Sequence, residues 1–162
     1  MGVTSLPALA APSPSPSAVS TLDRQLLTAA HQGNLWEIAT SQQAQSAATT
    51  ACVKRVSADF IRDHRALDAG VVKTAAQLGV TLPSGQTAAQ LKQTAALKSR
   101  AGTPAYDAAW LKAQYPAHVQ TLALIDKEIG SGTNPIVKSL AKSARPVVAR
   151  HIQMVNHGVC HA

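Results

Sequence analysis

Residues 52–79 read CVKRVSADFIRDHRALDAGVVKTAAQLG, and the spacing inside this stretch decides the fold class. Val53, Val56, Phe60, Leu67, Val71 and Leu78 recur at the interval of one α-helical face. His64 falls on that face, four residues after Phe60 and three before Leu67, so its imidazole points at whatever core the helix packs against. Three other segments repeat the design, each with one ionisable residue midway along an apolar stripe.

On the N-terminal side, Ser20 or Thr21 can cap a helix, with Asp23 well placed in its first turn. Leu22, Leu26, Ala29, Ala30 and Gly33 share a face that continues into Glu37, and the helix should fade near Ala48. On the C-terminal side, Gly79 closes the central helix and Pro83-Ser84-Gly85 makes a turn. A short helix over 87–98 lies inside a long connection that reaches Gly102. Thr103-Pro104 and Asn134-Pro135 each set a capping side chain before a proline at the first helical position. The third long helix then runs from Pro104 to about Ile129, with Leu111, Tyr115, His118, Leu122 and Ile125 on its stripe. The fourth runs from Pro135 to about Asn156, with Val137, Leu140, Ala144, Val148, His151 and Val155 inward. Pro116 and Pro146 are expected to kink these two helices or to free a carbonyl one turn earlier. There is no strand pattern, and the reading is all-α: a four-helix bundle.

A chain of 162 residues is long enough for one domain with a real core. Aromatics make up only 3%, so that core must be built from Ala, Leu, Val and Ile packed closely. The net charge of +7 and a pI near 9.9 permit contact with anionic partners. The basic residues are scattered, however, which suits a solubilising surface and gives no strong nucleic-acid signal. No apolar run approaches the roughly 20 residues of a membrane span. Ala8-Leu9-Ala10 has the small-x-small form of a signal-peptidase site, and residues 12–17 alternate Pro and Ser. Residues 1–19 therefore read as a signal remnant and spacer, and 20–162 as the bundle domain. A secreted, periplasmic or cell-envelope protein is expected, with peripheral or tethered association to a membrane left open.

A rise of about 1.5 Å per residue converts sequence position into height along each helix. Glu37, His64, His118 and His151 then lie about 20–24 Å from the starts of their helices, near mid-height on inward stripes. An unpaired buried carboxylate is costly, so these groups need one another or an ion. One reading is a mononuclear site of three imidazoles and one carboxylate, suited to zinc, copper, iron or manganese. Asp63 and Asp107 would then orient imidazoles from behind. The other is a metal-free Glu–His cluster that fixes helix register. A di-iron carboxylate centre is disfavoured: it uses about four carboxylates and two Glu-x-x-His pairs, whereas Glu37 and Glu128 are the two glutamates of the chain and neither is followed by histidine three residues later.

Cys52 and Cys160 are the two cysteines, and an even count in an exported chain suggests a bond. In an up-down-up-down bundle Cys160 would finish roughly 40 Å from Cys52, whereas bonded Cα atoms lie within about 7 Å. If the connection after the second long helix travels back along the bundle, the fourth helix ends beside Cys52. That single-crossover order is the ferritin-like one. We expect the Cys52–Cys160 disulfide and that topology together.

The chain also resembles a family. Gln32-Gly33-Asn34-Leu35-Trp36-Glu37, Asp63-His64 and Leu78-Gly79-Val80-Thr81-Leu82-Pro83 stand in the order of the bacterial domain of unknown function "four-one-four-two". Gly102-Thr103-Pro104-Ala105-Tyr106-Asp107, Gln114 to His118, and Arg145-Pro146 to His151 continue the series. The resemblance implies an exported, ferritin-like bundle and includes Glu37, His64, His118 and His151; it supplies no established activity. Trp110, Val119 and Arg145 depart from the family's usual tyrosine, acid and leucine. Three classes of function stay open. Metal binding, storage or sensing would go with full coordination by protein. A metalloenzyme needs an open coordination position and a pocket reaching it. A non-catalytic envelope or interaction module would use the basic surface.

Overall fold

The computed structural model describes residues 18–162 of the chain, so the signal-like and Pro/Ser features expected before residue 18 lie outside the described residues. Five α-helices follow in order: α1 Thr21–Ala47, α2 Ala51–Gln77, α3 Ala88–Lys98, α4 Pro104–Ser131 and α5 Pro135–Met154. A short 3-10 turn at Asn156–Gly158 ends the helical part.

Local chemistry accounts for the boundaries. Ser20 and Asp23 form a reciprocal capping box at the start of α1, and the Thr50 hydroxyl accepts from Val53 N at the start of α2. Thr87 and Gln90 repeat the box on α3, and Asn134 caps α5 through the amides of Ile136 and Val137. Gly79 follows α2 with φ of 64°, the left-handed geometry that favours glycine. Both prolines sit inside continuous helices, α4 through Pro116 and α5 through Pro146.

The four long helices close into a ring in which α1 packs on α2 and α4, and α5 packs on the same two. Gly102 N donates to Ala47 O, which sets the start of α4 beside the end of α1. The intervening 80–102 segment therefore crosses the length of the bundle, and α4 runs parallel to α2. Cys52 and Cys160 are joined, with Cα atoms 6.2 Å apart. The fold is the ferritin-like bundle with a long crossover that carries the short helix α3.

Two buried clusters fill the interior. Phe60, Tyr106, Trp110, Val53, Val56 and Val155 pack at the disulfide end. Leu26, Leu27, Val71, Ile125, Val137, Ala141 and Val148 pack toward the other end. Val19, which falls in the expected spacer, rests against this second cluster. Capping brings it there: Asp23 draws the Ser20 amide down onto the helix end. Among the described residues, no helix is long and apolar enough to cross a membrane.

Candidate metal centre

His64 on α2, His118 on α4 and His151 on α5 are all buried, and their rings meet between the two clusters. Each comes inward for the reason its helix does, as one member of an apolar stripe. Phe60, one turn before His64, packs on all three rings: centroid distances are 4.3 Å to His151, 4.8 Å to His118 and 5.9 Å to His64. An aromatic floor of this kind limits how far the imidazoles can tilt.

The outward nitrogen of each ring is committed to an acceptor. His118 Nδ1–H donates to the carbonyl of Gln114 at 2.9 Å. His151 Nε2–H donates to the Asp63 carboxylate at 3.0 Å. His64 Nδ1–H donates to Asn34 Oδ1 at 2.8 Å. A neutral imidazole carries one N–H, so the inward nitrogens are lone-pair atoms. They converge: His118 Nε2 stands 3.3 Å from His64 Nε2 and 3.2 Å from His151 Nδ1. One ligand atom from each histidine lies within 4.8 Å of the others, and the three could hold a metal ion. Nitrogens about 2.0–2.1 Å from one tetrahedral ion would be about 3.3–3.4 Å apart, close to this spacing.

Electrostatics keep the rings neutral. Burial, followed by the neighbouring imidazoles, pushes His64 well below its ordinary pKa and brings His118 down to about 3. Burial also lowers His151, against the opposing pull of Asp63. Burial would raise Asp63, but hydrogen bonds from His151 and Arg62 outweigh it and hold the carboxyl below its usual range. Asp63 also pairs with Arg150, so its charge is shared between the imidazole and two guanidinium groups at the surface.

Glu37 is buried but stands outside the group of three. Its Oε1 lies 3.5 Å from His118 Nδ1, the nitrogen that faces away from the other rings. Its Oε2 has no hydrogen-bond partner. Burial pushes its carboxyl well above the usual carboxylate range, with only the Gln114 amide opposing. Asp107 is spent elsewhere. Its two oxygens accept from the amides and hydroxyls of Thr49 and Thr50, fastening α4 to the α1–α2 turn, and it orients no imidazole.

Sequence reasoning passed over Asn34 and the Gln114 carbonyl. Asn34 was within reach, since it lies three residues before Glu37 on the inward side of α1. The Gln114 carbonyl carries no side-chain signal, because any residue would supply it.

Over residues 8–157 the chain matches the family described as Domain of unknown function (DUF4142). No curated protein matches it at a significant level. A solved structure that it resembles is the crystal structure of a DUF305 fragment from Deinococcus radiodurans, with a TM-score of 0.74 and 11% sequence identity. The alignment covers 85% of this chain and 95% of that one. At this identity the likeness speaks for a shared helical fold alone.

Proposed function

We propose a metal-binding role for this chain, which belongs to the family described as Domain of unknown function (DUF4142). His64 Nε2, His118 Nε2 and His151 Nδ1 take one transition-metal ion in the bundle core. The observation that carries the reading is the direction of the three rings: each gives its proton outward, to Asn34, Gln114 or Asp63, and turns a lone pair inward. His118 Nε2 lies at hydrogen-bonding distance from the inward nitrogens of both other rings, and lone pairs this close repel one another unless a proton or a cation lies between them. Asp63 behind His151 is the usual device for fixing a ligating imidazole and raising its basicity. Neutral imidazoles suit zinc, copper or iron, and manganese, which prefers oxygen ligands, would draw on Glu37 as well. Glu37 serves as a neighbour of His118, near enough to respond to charge at the centre. The disulfide suits an oxidising compartment, which supports an exported protein.

Elemental analysis after loading with zinc, copper(II) or manganese and exhaustive dialysis tests this. Wild-type protein should retain a single ion per chain, and His118→Ala none. Asp63→Asn should retain it about 10–100-fold more weakly, the usual loss when a supporting carboxylate is removed. Equal metal in wild type and His118→Ala would turn the reading to a metal-free polar cluster. Loss of the ion in Glu37→Gln would make Glu37 a fourth ligand.

A further inference from the structure

Among α1, α2, α4 and α5 lies a cavity of about 310 Å³ whose wall includes His64 and His118. Its wall is mostly aliphatic, with Leu67, Val71, Ile125 and Val148 among the contributors, and it carries no lysine or arginine. Trp36 and Glu37 also line it, and Trp36 Nε1 and Glu37 Oε2 are buried without a hydrogen-bond partner. Buried polar atoms are almost always paired, so two unpaired ones on neighbouring residues of one cavity lining call for something that supplies a donor and an acceptor. Half-buried Gln90 and exposed Gln120 also line it, so the cavity reaches the surface beside Gln120. The volume is roughly twice the ~150 Å³ of an apolar cavity that takes benzene, and it falls at the lower end of small-molecule sites.

We propose that this cavity binds a small, apolar, uncharged molecule carrying one hydroxyl, with that hydroxyl at Trp36 and Glu37. The hydroxyl is the smallest head that both donates to a carboxyl oxygen and accepts from an indole N–H. An anionic head of the same size finds no countercharge on the wall and meets a carboxyl instead. The inference stands on Trp36, Glu37 and the aliphatic wall and needs no ion at His64 or His118, which also line the cavity, so metal-free protein tests it apart from the metal reading.

Isothermal titration of chelator-treated, metal-free protein with cyclohexanol and with cyclohexanecarboxylate tests it. Cyclohexanol should bind saturably at one site, about ten-fold or more tighter than the carboxylate. Glu37→Leu should weaken the alcohol about ten-fold, the scale of one lost hydrogen bond. Ala141 lines the cavity and is buried, so Ala141→Leu should fill the space and abolish binding. Circular dichroism establishes that this variant is folded; where it is not, the comparison of the two heads on wild type decides alone. Absence of saturable binding, equal affinity for alcohol and carboxylate, or unchanged binding in folded Ala141→Leu would each overturn the proposal.

Discussion

The two ends of the bundle are held by different means. Where α1 turns into α2 and α5 finishes, Phe60, Tyr106 and Trp110 pack together and the Cys52–Cys160 bond closes the corner. At the other end the core is aliphatic, and the closing contacts are hydrogen bonds to one carboxylate. Asp23 there accepts from the amides of Ser20, Thr133 and Asn134, joining the start of α1 to the α4–α5 turn. Beside it Glu128 is fully buried, and Gly132 leaves it room, since a Cβ at that position would collide with the Glu128 carboxyl. The difference shows where the chain places its few rigid side chains. Phe60 packs on all three imidazoles and Trp110 packs on Phe60, so the aromatic end reaches the histidines, while the far end is filled by aliphatic side chains.

The largest effect should come from cutting the covalent tie. The bond closes a sequence separation of 108 residues, for which chain entropy implies a loss of about 4–5 kcal/mol in Cys52→Ser/Cys160→Ser, read by urea unfolding. A loss below about 1 kcal/mol would mean that aromatic packing alone secures that end. Next, Asp23→Ala removes the reciprocal half of a capping box and the acceptor of three backbone amides, the buried one of Asn134 among them, at an expected cost of about 2–3 kcal/mol. The two losses should add, because the sites lie at opposite ends and share no partner. Strong coupling between them would break the comparison.

The smallest effect is one of slope. Burial, with Asp23 adjacent, lifts the Glu128 carboxyl to about 7. Between its ordinary value and about 7 the folded chain keeps a proton that the unfolded chain has released, so this group's contribution falls as pH rises through that window. Glu128→Gln does not titrate there. Its stability relative to wild type should therefore climb between about pH 5 and pH 8, followed by thermal melts across that range. A flat difference would assign the proton to some other group.

Much of this was readable beforehand, and the reasons are local. The long helices announce themselves through a 3.6-residue period and through caps such as Ser20 and Asn134, which act within one turn. The crossover followed from two cysteines and a length argument. Phase on α1 was less legible: Ala29 is exposed while Asn34 and Trp36 are buried, because α1 faces two long neighbours and buries a broader arc than one stripe. Asp107 shows the limit from the other side. It precedes His118 by about three turns, so it lies too far along α4 to reach the rings, and only the fold reveals that Thr49 and Thr50 are its partners. The meeting of Asp23 with Glu128 depends on the α4–α5 turn, and no periodicity encodes it.

The cystine has a topological result. It makes a covalent loop of everything from 52 to 160, and that loop contains all three imidazoles, while α1 lies outside it and lends only Asn34 and Glu37. A single protease nick in the segment between α2 and α4 would thus leave two pieces that cannot diffuse apart, with His64 on one and His118 and His151 on the other. The chain could lose its continuity there and still hold the three rings in one molecule.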